Sequence, residues 1–292
     1  ASDVYKRQSY YWLTTRLRQD MGFRGYVVSD SDAVEYLYSK HGTAIDMKEA
    51  VLQAVEAGLN VRCTFRSPES FVLPLRELIA EGAIAMETIN DRVRDILRVK
   101  FLIGLFDTPY QMDLKQADME VNSLKNQKIA LQASRESIVL LKNSGKTLPL
   151  SKESVKTISV CGPNADDTSY ALTHYGPLAV EVTTVLQGIK EKVGEKVHVL
   201  YTQGCQLVDK NWPESEILPQ EPDAKEKAEI EKAVENARKS DVAIVVLGGN
   251  NRTCGENKSR TSLELPGHQL QLLQAVVSVG KPVVLVLSLI HI

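Results

Sequence analysis

The sequence lacks the features that mark several common classes of protein. Its four cysteines include no Cys-x-x-Cys pair, so a zinc site is not expected and free thiols are. No apolar run reaches the length of about 18 residues that a membrane-spanning helix requires. Basic and acidic residues nearly balance, at 35 and 37, so the charge predicts no binding to nucleic acid or to an anionic membrane. We therefore expect neither a metal nor a cofactor.

The two ends of the chain also lack what a natural open reading frame carries. No initiator Met and no signal peptide are present at the start. Residues 1–8 and 288–292 resemble translated sequencing-adapter read-through, and we expect both segments to be non-native. Like expression scars, they are not expected to contribute to the fold.

The rest of the composition is typical of a packed globular protein, with 43% hydrophobic and 25% charged residues. Short apolar runs alternate with amphipathic segments, and this pattern predicts an α/β protein with parallel strands. Residues 104–121 show no sustained periodicity, and we interpret them as an interdomain linker. The predicted domains are therefore residues 9–103 and 122–287.

The apolar periodicity places helices and strands in both domains. In the first domain it predicts strands at 25–29 and 59–63 and helices at 9–20, 47–57, 67–81 and 87–103. In the second it predicts strands at 157–161, 197–201, 241–247 and 282–287, and helices at 122–141, 183–193, 223–239 and 268–279. A (β/α)8 barrel needs about 250 residues, so a first domain of that type would be only a remnant.

An acidic turn, Ser29-Asp30-Ser31-Asp32, follows the first predicted strand. The carboxyl ends of parallel strands are where α/β proteins build their chemistry, so Asp30 is a candidate nucleophile. Asp32 competes for that role because side chains alternate along a strand. The alternative for either residue is an Asx turn or a helix N-cap, which is what most aspartates at strand ends form.

A second candidate carboxylate, Glu256, lies in the polar loop 248–260 after another predicted strand. Two carboxylates that flank a scissile bond are the requirement for glycoside hydrolysis. The Gly-Gly-Asn-Asn start of the loop fits neither common phosphate-binding pattern. The alternative is a solvated loop in which Glu256 has no special role.

Several separated segments resemble one known family, in the same order along the chain. They are Met21-Gly22-Phe23-Arg24-Gly25-Tyr26-Val27-Val28-Ser29-Asp30, Arg135-Glu136-Ser137-Ile138-Val139-Leu140-Leu141-Lys142-Asn143, Gly162-Pro163-Asn164-Ala165, Ser240-Asp241-Val242-Ala243-Ile244-Val245-Val246 and Ser259-Arg260-Thr261-Ser262-Leu263-Glu264-Leu265-Pro266-Gly267-His268-Gln269. On these segments the chain is similar to glycoside hydrolase family 3. The Ser-Asp-Ser-Asp-Ala-Val continuation resembles its β-xylosidase/β-glucosidase branch.

The resemblance implies a (β/α)8 barrel followed by a doubly wound α/β sandwich domain, here truncated at both ends. It also implies a retaining exo-acting β-glycosidase that releases terminal β-xylosyl or β-glucosyl residues from an oligosaccharide or glycoside. Asp30 would be the nucleophile and Glu256 the general acid/base, with Glu264 as the competing acid. The resemblance also suggests a periplasmic or secreted location. Because the earlier barrel loops are absent, we expect this chain to be inactive by itself.

Other residues are weaker candidates for sugar contacts. His41 and Arg62 lie on loops at the presumed catalytic face, and His174 follows the first strand of the second domain. Ordinary hydrogen bonding within a loop is the alternative for each. A different class of function is a non-catalytic doubly wound module that binds a nucleotide or another small ligand. Pro163 argues against it, because a proline cannot donate a backbone hydrogen bond to phosphate.

Overall fold

A computed structural model describes residues 9–108, 113–121, 123–169, 182–255 and 258–288. The chain divides into two compact units, Ala1–Asp118 and Met119–Ile292. None of the helices in the described ranges has the length and hydropathy needed to span a lipid bilayer.

Helices make up most of the first unit. They are α1 (Tyr11–Asp20), α2 (Tyr36–Ser39), α3 (Met47–Ala57), α4 (Glu69–Ala80) and α5 (Met86–Leu102). Each predicted helix is present within a few residues of its expected ends. Hydrogen bonds of the π type run through α1, as where the Met21 N–H donates to the Arg16 carbonyl at 3.0 Å.

Helix α3 shows why its boundaries were predictable. The Asp46 carboxylate accepts a hydrogen bond from the Glu49 N–H at 2.8 Å, which caps the first turn. Gly58, with φ of 117°, ends the helix in the left-handed region that glycine adopts without steric cost. Between these ends, the apolar face of α3 is buried against α2 and α4 and forms the core of the unit.

The two predicted strands of the first unit are reduced to a single parallel bridge between Val28 and Val61. The Ser29 N–H donates to the Val61 carbonyl at 2.8 Å, and the Val61 N–H donates to the Val27 carbonyl at 3.1 Å. The prediction of full strands at 25–29 and 59–63 is wrong in extent. A parallel strand in a barrel is paired on both edges, whereas within the described residues each segment has a partner on one edge only. Val28 is accordingly 44% exposed.

The predicted linker contains regular structure. Helix α6 (Leu114–Glu120) lies within residues 104–121, and α7 (Leu124–Ser137) follows it. Helix α7 ends at Ser137 rather than at 141, because the chain becomes extended at Ile138, the first of two successive β-branched residues.

The second unit is an α/β structure around a parallel sheet. Its strands are β1 (Thr157–Cys161), β2 (His198–Thr202), β3 (Val242–Gly248) and β4 (Val283–Ser288), in the order β2-β1-β3-β4. The helices between them are α8 (Val185–Val193), α9 (Ala224–Lys239) and α10 (Gln269–Val277). The α/β prediction is therefore confirmed at this level, and each predicted strand and helix of the sheet region is present.

Both faces of the sheet are covered, as a doubly wound sheet requires. Strand β3 is buried along its whole length. Ala243 and Val245 face a core that also holds Leu272 of α10, while Ile244 and Val246 face a second core on the other side. Successive side chains of a strand point to opposite faces, so one apolar strand serves both cores.

Gly162, which directly follows β1, has no room for a side chain. Its φ is 114°, and a Cβ atom added there would lie 2.0 Å from the Val246 carbonyl oxygen. We expect Gly162→Ala to lower the free energy of unfolding by at least about 3 kcal/mol, from steric overlap plus backbone strain. Gly280→Ala is the matched control, because its φ of 77° is also left-handed but nothing lies within 4 Å.

The control should lose only about 1–2 kcal/mol, the cost of the left-handed conformation alone. Urea unfolding of the two variants and the unchanged chain measures the difference. Equal losses in the two variants would show that the close approach of β1 and β3 is not what requires glycine at 162.

Candidate active site

Asp30 lies two residues beyond the Val28–Val61 bridge and is exposed to solvent. Its Oδ1 accepts a hydrogen bond from the Ser31 N–H at 2.8 Å, and its carbonyl accepts one from the Ala33 N–H at 3.2 Å. The Ala33 bond closes a four-residue turn, and the Ser31 bond is a local side-chain contact within it. The turn presents the Asp30 carboxylate at the surface, where a ligand can reach it.

Buried Ser29 ties the base of this turn to the second strand segment. Its Oγ accepts a hydrogen bond from the Cys63 N–H at 2.8 Å and donates one to the Asp30 carbonyl at 2.9 Å. The backbone is thus held on both sides of the Ser29–Asp30 peptide. As a result, the segment that carries Asp30 and the segment that carries Arg62 lie side by side.

Asp32 is held by side chains of the neighbouring segment. Its φ is 55°, in the left-handed region. Its Oδ1 accepts a hydrogen bond from the Thr64 hydroxyl at 2.5 Å, and Arg66 Nε lies 3.6 Å away. The Asp32 N–H also donates to the Cys63 carbonyl at 3.1 Å. These contacts give Asp32 a supporting position, in contrast to the exposed Asp30.

Arg62, predicted as a possible sugar contact, uses its guanidinium inside the protein. The side chain is only 5% exposed. It donates to Glu35 Oε1 through Nε at 2.9 Å and through Nη2, and Nη2 also donates to Ser70 Oγ at 2.8 Å. The ring of Phe71 lies 5.6 Å from the guanidinium carbon. A sugar contact by Arg62 remains a prediction, but these bonds direct its Nε and Nη2 donors to protein partners.

Glu35 is a charged residue of this site that sequence reasoning missed. It is 1% exposed, and its Oε1 accepts hydrogen bonds from Arg62 and, at 3.1 Å, from Thr64. Its Oε2 is buried without a hydrogen-bond partner among the described residues. A glutamate within the apolar run Ala33-Val34-Glu35-Tyr36-Leu37 was the available signal, because a buried carboxylate needs a partner.

The other three predicted site residues are less defined. His41 is half-buried in the loop after α2, and its N–H donates to the Tyr36 carbonyl at 2.9 Å. Glu256 and His174 lie outside the described residues. The roles of all three stay predictions. In the described part of the chain, no group of three His, Cys, Asp or Glu side chains is placed to hold a metal ion.

In the second unit, the loops that follow β1 and β3 are tied together at the carboxyl end of the sheet. Asn250 Nδ2 donates to Asp167 Oδ2 at 2.8 Å and to Ser169 Oγ at 3.2 Å. Burial alone raises the pKa of the Asp167 carboxyl, but the hydrogen bonds from Asn250 and Ser169 outweigh it and lower that pKa below its usual value. Ligands of doubly wound proteins commonly bind where the strand order reverses, and β1 and β3 flank that point here.

Arg260 and Glu264 have contacts that agree with structural roles. The Arg260 guanidinium forms an ion pair with Glu216, donates to the Glu264 carbonyl at 2.9 Å and lies 5.1 Å from the Trp212 ring.

All four cysteines are free thiols, as expected, and Cys63 is the exposed one. Burial raises the pKa of the Cys161 thiol to about 12.

Comparison with protein-family models gives two matches. Residues 4–99 match the glycosyl hydrolase family 3 N terminal domain, and residues 138–291 match the glycosyl hydrolase family 3 C-terminal domain. The chain is 36% identical over 286 residues to a periplasmic β-glucosidase of Salmonella typhimurium, with 93% of this chain and 36% of that protein covered. It is 31% identical over 282 residues to a β-xylosidase of Formosa agariphila, with 93% and 37% covered.

Solved structures show the same likeness. A β-glucosidase of Erythrobacter marinus superposes with a TM-score of 0.81 at 31% identity, over 96% of this chain and 38% of that one. A β-glucosidase of Listeria innocua in complex with glucose gives a TM-score of 0.79 at 29% identity, over 96% and 35%. The chain therefore spans little more than a third of the length of these relatives.

Proposed function

The chain belongs to glycosyl hydrolase family 3, and from this premise we propose that it supplies both catalytic carboxylates of a retaining exo-acting β-glycosidase. The substrate is an oligosaccharide or glycoside with a terminal β-glucosyl or β-xylosyl residue. Relatives named as β-glucosidase and β-xylosidase support this substrate class. The proposal of a non-catalytic ligand-binding module has no comparable support.

In the proposed first step, the Asp30 carboxylate attacks the anomeric carbon from the face opposite the leaving group. The glycosidic C–O bond breaks, a glycosyl ester forms on Asp30, and Glu256 gives its proton to the departing oxygen. In the second step, Glu256 removes a proton from a water molecule whose oxygen attacks the same carbon. The ester bond breaks, the sugar leaves with its original configuration, and both carboxyl groups return to their starting states.

The observation that carries the proposal is the position of Asp30. Its carboxylate is exposed at the end of a segment that lies within the matched N-terminal family domain. The nucleophile must be reachable, and the Ser31 N–H holds one oxygen of the Asp30 carboxylate at 2.8 Å. Asp32, by contrast, is engaged by Thr64 and Arg66.

We assign the activity to the complete protein that contains this chain, and we expect the 292-residue chain to give no turnover by itself. The chain spans 36% of the Salmonella typhimurium relative and so lacks a counterpart for most of that protein. A periplasmic or secreted location belongs to the same proposal, since that relative is described as periplasmic.

Covalent trapping tests the proposal directly. We expect the complete protein to be inactivated by 2-deoxy-2-fluoro-β-glucosyl or β-xylosyl fluoride. The fluorine slows both steps, but the fluoride leaving group lets the first proceed, so the ester accumulates. Mass spectrometry of the digested protein should place the added sugar on Asp30, and comparison of the two reagents ranks glucose against xylose. A label on another residue, or a product of inverted configuration, would contradict the mechanism.

A further inference from the structure

Glu35 and Arg62 form a buried ion pair that Thr64 connects to the turn that carries Asp30. The Glu35 side chain is 1% exposed and the Arg62 side chain is 5% exposed. Glu35 lies on the segment that follows Val28, and Arg62 lies on the segment that follows Val61. Removing one partner of such a pair leaves an uncompensated buried charge, which is strongly unfavourable. The pair therefore fixes the position of the turn relative to the second segment.

Thr64 connects this ion pair to the turn itself. Its hydroxyl lies 2.5 Å from Asp32 Oδ1 and 3.1 Å from Glu35 Oε1, so one donor is shared between two carboxylates. Arg62 Nη2 lies 3.4 Å from the same hydroxyl oxygen and donates to it. A continuous chain of polar contacts thus runs from the buried pair through Thr64 to Asp32, which stands two positions from Asp30.

The backbone of the turn depends on this chain of contacts. Asp32 has φ of 55°, a conformation that costs a non-glycine residue about 1–2 kcal/mol unless surrounding bonds stabilise it. The contacts that hold it come from the Thr64 hydroxyl, the Cys63 carbonyl, the Tyr36 N–H and, at 3.6 Å, Arg66 Nε. The Asp30 side chain itself has only the Ser31 N–H as a described backbone donor. Its orientation is therefore set mainly by the turn.

We propose that Glu35 is a positioning residue for Asp30, acting through Arg62, Thr64 and Asp32. This inference rests on the proposed function, because it assigns Glu35 a role in the reaction of Asp30. Glu35 does not touch the sugar. Its charge holds Arg62 in place, and the resulting network keeps the turn in the one conformation that aims the Asp30 carboxylate.

The substitution Glu35→Gln tests the charge while keeping the shape. A carboxylate accepts hydrogen bonds through both oxygens, whereas an amide accepts them through one oxygen only. The NH2 group of the amide would face either the guanidinium of Arg62, which is also a donor, or the apolar surroundings of Oε2. Misplacement of a reacting group by about 1 Å can cost on the order of 100-fold in rate. In the complete protein we expect kcat on aryl β-glycosides to fall by about that factor, with little change in KM.

Two further variants separate positioning from simple loss of stability. Thr64→Val removes the shared hydroxyl while both charges of the buried Glu35–Arg62 pair remain, and we expect it to lower kcat with KM retained. Thr64→Ser keeps the hydroxyl and should restore a rate close to that of the unchanged protein. Glu81→Gln is the matched control: it makes the same chemical change in the exposed ion pair with Lys48, and it should leave kcat unaltered.

Hydrogen–deuterium exchange of the turn gives a readout that does not depend on turnover. In Glu35→Gln and Thr64→Val, a peptide that covers residues 29–36 should exchange faster than in the unchanged protein, whereas Glu81→Gln should not change it. If kcat and turn exchange stay unchanged while only the melting temperature falls, Glu35 has a purely structural role and the inference is wrong.

The same measurements distinguish failure of this inference from failure of the proposed function. If the protein without substitutions neither hydrolyses aryl glycosides nor takes the fluorosugar label, the proposed function is wrong. In that case hydrogen–deuterium exchange by itself tests whether Glu35 holds the turn in place. If the protein is active and labelled at Asp30 but Thr64→Val behaves like Thr64→Ser, the positioning role is refuted. If Glu35→Gln does not fold, the two Thr64 variants decide the question.

Discussion

Glycine in place of Asp30 is expected to lower kcat of the complete protein on aryl β-glycosides by on the order of 10⁴-fold or more, a loss typical of removing a covalent nucleophile. Without the carboxylate no glycosyl ester can form, so both steps of the reaction lose their shared intermediate. Steady-state kinetics with a nitrophenyl glycoside measures this loss. Because Asp30 is exposed, the substitution should leave the free energy of unfolding nearly unchanged.

Azide provides the decisive control for that variant. The small anion can occupy the space left by the Asp30 carboxylate and attack the anomeric carbon in its place. We expect azide to restore turnover of Asp30→Gly and to yield an α-glycosyl azide, with the configuration inverted once instead of twice. Asp32→Gly is the matched variant, and azide should not rescue it. Rescue of Asp32→Gly instead would transfer the nucleophile role from Asp30 to Asp32.

The second large effect is expected from Glu256→Ala. General acid–base catalysis contributes about 10²–10⁴-fold, so kcat/KM should fall by that range for substrates with poor leaving groups. A dinitrophenyl glycoside, whose leaving group needs no proton, should lose far less in its first step. General acid catalysis by Glu256 predicts that the rate of the unsubstituted protein falls at high pH, and this fall should be absent in Glu256→Ala, because no acid remains to be deprotonated.

Glu264→Ala is the comparison that assigns the acid. It removes the competing carboxylate in the same way. Glu264 lies in the neighbouring segment, where its backbone carbonyl accepts a hydrogen bond from Arg260. We expect this variant to keep its dependence on leaving group and its pH profile. If Glu264→Ala rather than Glu256→Ala shows the selective loss with poor leaving groups, the assignment of the acid is wrong.

Helix boundaries in this protein follow from residues close together in the chain. Asp46 caps α3, Thr184 caps α8 and Asp223 caps α9, each through a bond to an N–H three residues further on. Such contacts form within a single turn, so the residue type and its spacing are enough to predict them. The early end of α7 was the exception, since the extended Ile138 lies outside the reach of any capping pattern.

Strand pairing followed a different rule. The apolar run of β3 predicted a strand, and pairing with β1 and β4 on both edges allowed it to form. The shorter apolar segment around Val28 formed only one bridge, with Val61. An apolar run favours a strand, but the strand forms only where neighbouring strands supply hydrogen bonds to its backbone.

Local sequence was enough to predict the α/β order of the second unit, the bounds of α3 and the acidic turn that makes Asp30 a candidate. All of these depend on local periodicity, on spacing within one turn or on a motif contiguous in the chain. Two contacts emerge only in the folded chain: Arg62 binds Glu35, 27 residues away, and Thr64 reaches Asp32 across the bridge. Such partners are far apart in the sequence and come together only when the chain folds. Burial then removes water as an alternative partner, so each buried charge needs an opposite charge or a hydrogen bond close by.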